Sequence, residues 1–310
     1  MKKTTVLFLL LLMVLFCAQT AFGQAAPKTA LEFAQRGIDY LDDGEYAKAL
    51  ADFNQALRLE PNGEYTPAYY LYRGITYSMQ KDYDKAIADF NQADKLEPND
   101  EGVLAWRGNA YFLKFEERNP KDNGDDLKRR ALADLNKAIQ LNPDYAWAYG
   151  RRGYYYAENG NWPSEKDRAL ADYNKSIQLD PDDAEVYKDR GRLYLWSFDN
   201  PNMAIADYTR AINLDPTNAL YYYYRAEAYG KIAEFGNRDY TRAIADYTQA
   251  IRLDPKDKDN YAERGKAYYY MNDFRNAVTD LEQAIKLWTG YKGSYYDDID
   301  WHLSEARKKR

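Results

Sequence analysis

A segment of thirteen residues recurs through this chain, and the recurrence limits the possible fold more than any other feature of the sequence. The first copy begins at Ala49 and reads Ala-Leu-Ala-Asp-Phe-Asn-Gln-Ala-Leu-Arg-Leu-Glu-Pro. A seventh copy begins at Ala277 and has Thr289 where the others have proline. Such repetition is typical of arrays in which each unit contacts only its neighbours. The six complete copies are residues 49–61, 86–98, 131–143, 169–181, 204–216 and 243–255.

A second pattern, Arg-Gly-x-x-Tyr, precedes each copy, with Ala226 replacing the glycine in the sixth. Apolar or small residues recur in both patterns at three- and four-residue steps, which is the period of an α-helix. The sequence therefore predicts two helices in each unit. Because two helices alone cannot bury their apolar faces, the units must stack to form a core. The unaltered pattern occupies residues 36–40, 73–77, 107–111, 152–156, 190–194 and 264–268.

The two patterns together resemble the tetratricopeptide repeat (TPR), a helix-turn-helix unit of about 34 residues. The family pattern has small residues at repeat positions 8 and 20, aromatic residues at 4, 11 and 24, alanine at 27 and proline at 32. The resemblance covers residues 30–289. In the second copy those positions hold Tyr70, Gly74, Tyr77, Ala86, Phe90, Ala93 and Pro98.

The resemblance implies an all-α fold, a right-handed α-solenoid superhelix of seven TPR helix-turn-helix units followed by a C-terminal capping helix. Residues 290–310 would form that cap, which repeat arrays need to cover their last apolar face. Asp144, Asp183 and Asn218 follow the repeat prolines and are expected to cap the next helix. The implied units are residues 30–66, 67–100, 101–145, 146–183, 184–218, 219–257 and 258–289.

All seven units carry an arginine at repeat position 7 and an aspartate at position 23. We predict a ladder of structural ion pairs, either between the two helices of one unit or between adjacent units. Anion binding by the arginines is the alternative, but evenly spaced aspartates would neutralise them. The pairs are Arg36 with Asp52, Arg73 with Asp89, Arg107 with Asp134, Arg152 with Asp172, Arg190 with Asp207, Arg225 with Asp246, and Arg264 with Asp280.

The distance from repeat position 8 to position 20 varies among the units. It is twelve residues in the first, second and seventh units, but 23, 16, 13 and 17 residues in the third to sixth. We expect the added residues in the turn between the paired helices, projecting from one edge of the array. The longest insertion, residues 116–128, is acidic but lacks the ligand spacing of a calcium loop, so a solvated loop without metal is predicted.

The concave groove of TPR arrays is lined by the first helix of each unit, mainly at positions 2, 5, 9 and 12. In the first two units these positions are apolar: Leu31, Ala34, Ile38, Leu71 and Ile75. Later units place aromatic and charged residues there or at the next position, 13, a combination that protein-binding surfaces favour, although several tyrosines could instead pack against neighbouring helices. The implied partner-binding residues are Trp147, Tyr154, Lys188, Arg192, Trp196, Tyr223, Glu227, Lys231, Lys266 and Tyr269.

Residues 1–23 have the layout of a secretory signal peptide. Lys2 and Lys3 precede an apolar run at residues 6–17, and Ala21 and Gly23 are the small residues expected before a cleavage site. The run is shorter than the roughly 20 residues that a membrane-spanning helix needs. The sequence therefore predicts export to the periplasm or the medium.

Cleavage after Gly23 would leave residues 24–29 as a short linker before the first repeat. Removal of Lys2 and Lys3 would change the formal charge from −6 to −8, and the mature chain would contain no cysteine. Such a chain suits an oxidising compartment. Membrane attachment would follow only from an uncleaved segment or from lipidation at Cys17, for which the preceding phenylalanine is a poor fit.

Composition removes several classes of function. Cys17 is the single cysteine and His302 the single histidine, so neither an internal disulfide nor a Cys/His zinc site is expected. The net charge of −6 argues against nucleic-acid binding. No phosphate-binding loop or metalloprotease motif is present, and no cofactor is expected. His302 is predicted to be a surface or capping residue, and the chain is predicted not to be an enzyme.

The sequence therefore favours a non-catalytic scaffold that binds a protein or peptide outside the cytoplasm. The alternative is an accessory component of a periplasmic ligand-delivery or transport system. An open amphipathic groove would favour the scaffold, whereas a closed apolar pocket would favour the alternative.

Overall fold

The computed structural model describes residues 27–119, 123–159, 163–236, 238–290 and 293–310, and the predicted signal peptide with Cys17 lies outside these ranges. Within them the chain forms fifteen helices and no strand, and no helix has the length and apolarity to cross a bilayer. The helices are α1 (Ala30–Asp42), α2 (Tyr46–Leu59), α3 (Thr66–Met79), α4 (Tyr83–Leu96), α5 (Glu101–Glu117), α6 (Asp125–Leu141), α7 (Ala146–Asn159), α8 (Pro163–Leu179), α9 (Ala184–Trp196), α10 (Pro201–Leu214), α11 (Ala219–Phe235), α12 (Thr241–Leu253), α13 (Lys258–Tyr270), α14 (Phe274–Leu287) and α15 (Ser294–Lys309).

The chain divides into two compact units, residues 1–151 and 152–310, with the boundary inside α7. In the first unit, α1 with α2, α3 with α4, and α5 with α6 form consecutive helical hairpins. Their cores pair a small residue on the first helix with a ring on the second. A Cβ atom added to Gly74 would lie 2.7 Å from Cε1 of the fully buried Phe90, so a larger residue there would force the helices apart.

The second unit repeats this arrangement in α9 with α10, α11 with α12, and α13 with α14. A Cβ atom on Gly191 would meet the ring of Tyr208 at 2.6 Å. The alanines at repeat position 20 are fully buried in both units, which explains why this position does not vary. They are Ala49, Ala86, Ala131, Ala169, Ala204, Ala243 and Ala277.

Side-chain caps begin most helices that follow a repeat proline. Asp183 accepts hydrogen bonds from the backbone N–H groups of Glu185 and Val186, and Asn218 accepts one from Leu220, as the sequence predicts. The expectation for Asp144 is wrong, because α7 begins at Ala146 and Asp144 lies one residue before the N-cap position.

The inserted residues do not lie only in turns, which corrects the sequence-based expectation. Helices α5, α6, α8 and α11 have 17 residues each, whereas both helices of the second repeat have 14. Much of each long insertion therefore lengthens a neighbouring helix by about one turn. The predicted loop at residues 116–128 is helical at both ends, and residues 118, 119, 123 and 124 are its described non-helical part.

Helix α15 covers the end of the last hairpin. Ile299, Leu303 and Ala306 pack into one buried cluster with Val278 and Leu281 of α14. The all-α class, the helical repeat units and the capping helix are thus confirmed.

His302 is buried within this cap, so the expectation of a surface position is wrong and the expectation of a capping role is right. Its Nδ1 lies 2.8 Å from the Asp298 carbonyl oxygen, and its Nε2 lies 3.1 Å from the Tyr270 hydroxyl. Because a carbonyl can only accept a hydrogen bond, Nδ1 carries the proton and Nε2 accepts from Tyr270.

Candidate binding surface on the first helices

The repeated arginine and aspartate form a bidentate pair in every repeat, joining the first helix to the second. In the second repeat, Nε and Nη2 of Arg73 donate to the two carboxylate oxygens of Asp89 at 2.7 and 2.6 Å. The other six pairs have the same pattern, with distances of 2.6–3.0 Å. Since each guanidinium faces its own carboxylate, these arginines are engaged in the fold rather than presented to an anion.

The arginines also bond to the preceding repeat. Arg73 Nη1 donates to Asn54 at 2.6 Å, and Arg190 Nη1 donates to Asn174 at 2.7 Å. Arg225 and Arg264 reach threonine hydroxyls in the same way, at 3.1 and 3.0 Å. One arginine therefore fixes both the hairpin and the stacking of adjacent repeats. The predicted arginine–aspartate ion pairs themselves form within one unit, not between adjacent units.

We use the name first-helix surface for the side chains at repeat positions 2, 5, 9, 12 and 13. Nine of the ten predicted partner-binding residues lie in the second unit, and eight of those nine are half-buried. Trp196 is the exception, at 60% exposed. Half-buried side chains both pack and face solvent, so each one must be judged by its contacts.

Lys188 and Arg192 on α9 are already balanced by acids. Lys188 forms an ion pair with Glu185, and its Nζ lies 3.3 Å from Asp189. Arg192 Nη2 lies 3.3 Å from Glu158. The Arg192 side chain also interacts electrostatically with Tyr154, the predicted residue on α7. Lys188 is therefore balanced within α9 and Arg192 links α9 to α7, so neither cation forms a free anion site.

Trp196 and Lys231 form an exposed pair. The Lys231 ammonium lies 5.4 Å from the centre of the Trp196 ring, within cation–π distance. It is held there by Asp199 at 2.6 Å and by the Leu195 carbonyl oxygen at 3.1 Å. Asp199 and the Leu195 carbonyl thus fix the position of the lysine, and the Trp196 side chain remains mostly exposed to solvent.

Tyr223, Glu227 and Lys266 belong to a polar cluster that spans three helices of the unit. The Tyr223 hydroxyl donates to Glu227 Oε1 at 3.2 Å. Lys266 Nζ lies 2.7 Å from Glu263 and 3.3 Å from Asp298. Burial, followed by the negative charge of Glu263, raises the pKa of Glu227 to about 7. Glu227 therefore changes its charge near neutral pH.

Tyr269 packs under the C-terminal helix. Its ring makes edge contacts with Phe274, Trp301 and His302, at centroid distances of 5.7, 6.1 and 5.2 Å. Its hydroxyl accepts a hydrogen bond from Lys309 at 2.9 Å. These contacts give Tyr269 a role in holding the cap.

Trp147 lies in the first unit, where it stacks on Trp106 with the ring centres 4.4 Å apart. The Arg151 guanidinium lies over the Trp147 ring, 5.7 Å from its centre. Of the apolar groove positions predicted in this unit, Ala34 and Ile75 are buried in the core, while Leu31, Ile38 and Leu71 are half-buried.

A cavity of about 230 Å³ opens in the first unit between the ends of α3, α4, α5 and α6. Leu71 and the rings of Tyr72 and Tyr145 form its apolar wall. Asp100 and Glu101 lie at its rim, where Asn142 donates to Glu101 at 3.4 Å. No group of three metal-ligating side chains occurs in this unit or elsewhere in the described part of the chain.

Sequence reasoning did not find the acidic partner of Glu227. Glu263 is at position 6 of the seventh repeat, which is not one of the predicted groove positions. Tyr247 and Tyr295 surround the two glutamates, since both acids contribute to raising the pKa of Tyr247, and the Tyr295 hydroxyl donates to Glu263 at 3.0 Å. The sequence signal that could have indicated this cluster is the presence of acidic residues on the first helices of adjacent repeats.

Family models for the tetratricopeptide repeat match residues 20–93, 135–166, and 184–218, 226–257 and 259–287. The chain belongs to the tetratricopeptide repeat family. The resemblance seen in the sequence is therefore confirmed. No curated protein sequence matches the chain.

Solved structures of TPR proteins are similar to this chain. A thermophilic TPR protein from Thermus thermophilus aligns with a TM-score of 0.57 and 24% identity, covering 64% of this chain and 98% of its own. A TPR protein from Parabacteroides merdae gives 0.56 and 19%, covering 90% and 98%. The APC/C hetero-tetramer Cut9–Hcn1 gives 0.60 and 13%, covering 89% and 55%. At these identities the likeness is one of fold.

Proposed function

We propose that this TPR protein is a non-catalytic scaffold that binds an extended segment of a partner protein along the first-helix surface of its second unit. The observation that carries the proposal is Trp196, a large aromatic side chain that is 60% exposed and has Lys231 fixed against its face. Exposed tryptophan beside a basic residue is typical of the few residues that supply most binding energy in protein interfaces.

The neighbouring residues support the same proposal. Glu227 and Tyr223 lie on α11 with Lys231, so aromatic, acidic and basic groups share one helix. The ion pair between Arg192 and Glu158 joins the first helices α9 and α7. A surface built on rigid helices positions its contacts before the partner arrives, which lowers the entropic cost of binding.

The charged groups of the described region support the absence of catalysis. Each repeat arginine faces an aspartate across its own hairpin, and His302 is hydrogen-bonded inside the cap. Glu227 is the acid whose pKa rises to about 7, and the groups that act on it are Glu263, Tyr223, Lys266 and Arg192.

One observation favours the alternative of small-ligand delivery, namely the cavity in the first unit. Its volume of about 230 Å³ is below the roughly 300–1,000 Å³ of most ligand pockets. Leu71, Tyr72 and Tyr145 would surround an apolar group, and the acids at its rim would favour a positive one. The size favours a peptide side chain over a free ligand.

We also propose that the scaffold acts outside the cytoplasm. The support is the N-terminal pattern of two lysines, the apolar run at residues 6–17 and the small residues Ala21 and Gly23. With Cys17 removed, the mature chain would have no thiol to oxidise.

Peptide selection tests the scaffold proposal. Displayed peptides of about twelve residues are selected on the full-length protein, and the affinities of the enriched peptides are measured by calorimetry. We expect the combined change Trp196→Ala and Lys231→Ala to weaken them at least about tenfold, the usual effect of removing an interface hot spot.

Phe235→Ala is the matched control, because Phe235 is an aromatic residue at the end of α11 and is 79% exposed. It should leave the affinities within about twofold. Equal binding to the wild type and the Trp196/Lys231 variant would overturn the proposed surface. Failure to enrich any peptide on the wild type would overturn the scaffold proposal itself.

A further inference from the structure

The polar cluster around Glu227 contains more carboxylates than positively charged side chains to balance them. The Lys266 ammonium lies 2.7 Å from Glu263 and 3.3 Å from Asp298, and its charge also acts on Glu227. Arg192 also acts on Glu227 electrostatically, but its guanidinium pairs with Glu158. Among the described residues no cation lies within ion-pair distance of Glu227, and its hydrogen bond comes from the neutral hydroxyl of Tyr223. The cluster therefore has excess negative charge when Glu227 is ionised.

A buried hydroxyl without a partner experiences the charge of the same carboxylate. Tyr208 of α10 is fully buried, and its oxygen has no hydrogen-bond partner in the structure. The charges of Glu227 and Arg192 both act on this hydroxyl, so it lies close to them. A buried polar group left without a partner costs about 1–3 kcal/mol. A ligand that supplies a hydrogen-bond donor here would remove that cost.

Aromatic rings surround the acids. Tyr223 makes an edge contact with Tyr247 at 5.8 Å, and Tyr295 lies 5.2 Å from the Lys266 ammonium. The Tyr295 hydroxyl donates to Glu263 at 3.0 Å. The faces of such rings attract cations, and the effect increases when water is excluded. Carboxylates, hydroxyl oxygens and ring faces together suit a cationic donor and would repel an acidic group.

We propose that Glu227, Glu263, Tyr208 and Tyr223 form an acceptor site for one basic side chain, a lysine or an arginine, of the bound peptide. The inference rests on the proposed peptide-binding function and identifies the chemistry of one residue of that partner. The ammonium or guanidinium donates to Glu227 and to the Tyr208 hydroxyl oxygen. The peptide backbone then continues along the first-helix surface towards Trp196.

The test uses butylguanidinium, which mimics an arginine side chain, and butylurea, which has a similar shape without the charge. Both are titrated into the full-length protein at about pH 8, where Glu227 is mostly ionised, and binding is followed by saturation-transfer NMR. We expect saturable binding of butylguanidinium and none of butylurea. Glu227→Gln should weaken binding at least about tenfold, while Glu305→Gln, a half-buried acid of α15 that pairs with Lys308, should leave it unchanged.

Tyr208→Phe distinguishes a binding role from a structural one. The hydroxyl makes no hydrogen bond in the free protein, so the variant should be at least as stable as the wild type in urea denaturation. It should nevertheless bind butylguanidinium more weakly. Equal probe binding by the wild type and Glu227→Gln, or no saturable binding by the wild type, would overturn the acceptor site.

The peptide selection distinguishes failure of this inference from failure of the proposed function. Enriched peptides that contain a basic residue, and lose affinity with Glu227→Gln, would support the acceptor site. Enriched peptides without a basic residue, weakened by the Trp196/Lys231 change but not by Glu227→Gln, would overturn the acceptor site and leave the scaffold proposal standing.

Discussion

At the scale of single residues, Arg73, Arg107, Arg190, Arg225 and Arg264 each combine a charge pair with a hydrogen bond to the preceding repeat. Six of the seven arginine side chains are 13–19% exposed, whereas Arg36, which has no repeat before it, is 36% exposed. A buried pair of this kind adds little net stability compared with apolar residues, but losing one partner leaves a buried charge. The ladder therefore fixes the register of each hairpin more than it adds to stability.

The change Asp89→Asn tests this role. It leaves the Arg73 guanidinium half-buried without its counter-charge, and we expect the free energy of unfolding to fall by about 3 kcal/mol. The control is Asp84→Asn on the same helix, which removes the acid from an ion pair with Lys114. Because Asp84 is 79% exposed, this change should lower the free energy of unfolding by less than about 0.5 kcal/mol. Urea denaturation of both variants gives the comparison, and similar losses would contradict a special role for the ladder.

Glu227 predicts a pH dependence of stability. Its pKa rises from 4.5 to about 7 on folding, so the folded chain holds this proton more tightly than the unfolded chain. The contribution to stability is fully present below about pH 4.5 and is lost as the pH rises through 7. Above that pH the ionised form costs about 3 kcal/mol, from about 1.4 kcal/mol per pH unit.

The change Glu227→Gln should remove this dependence while keeping a hydrogen-bond acceptor for Tyr223. We expect urea denaturation to show similar stabilities for the variant and the wild type at about pH 5. At about pH 8 the variant should be the more stable by up to about 3 kcal/mol. A difference that stays constant between the two pH values would show that Glu227 does not titrate in this range.

The sequence could not predict these properties of Glu227 and Tyr208. Their side chains sit at ordinary repeat positions, and what distinguishes them is the neighbour that folding brings from the next or preceding repeat. The arginine–aspartate pairs, by contrast, recur at one pair of repeat positions, and that regularity is enough to predict which residues form each pair.

At the scale of helices, the positions that recur predicted the structure best, because they pack one helix on the next. Ala86, Phe90 and Ala93 are fully buried on one face of α4. In every repeat the first and third of these positions hold a small residue, and the second holds an aromatic residue or leucine. The insertions lack such positions. Their charged, helix-favouring residues, such as those at 125–130, extended α6 by a turn rather than forming a loop.

Helix α15 gives a test at this scale, because it covers the apolar face of the last hairpin. Ile299 is fully buried against α14, and Ile299→Ala should lower the free energy of unfolding by about 3 kcal/mol. Lys308→Ala, on an exposed position of the same helix, should change it by less than about 0.5 kcal/mol. If urea denaturation showed no difference between the two, α15 would not act as a cap.

At the scale of the whole molecule, each compact unit consists of hairpins that contact their sequence neighbours, so stability is expected to be a sum of local terms. The second unit carries the proposed binding surface, and the first carries the apolar cavity. The sequence predicted the surface residues by their repeat positions. It did not predict that Lys188 and Arg192 would form ion pairs, or that Tyr269 would accept a hydrogen bond, with other residues of the chain.

The export proposal is tested on the whole chain. In a bacterial host, we expect the protein in the periplasmic fraction or the medium, and N-terminal sequencing should begin at Gln24. Replacing Leu9 and Leu11 with arginine would break the apolar run and should leave the full-length protein in the cytoplasm. The matched control changes Lys308 and Lys309 to alanine, which alters charge at the other end and should not affect export. A membrane-bound product that retains Met1 would show that the segment is an anchor, because cleavage and anchoring differ in which residue begins the mature chain.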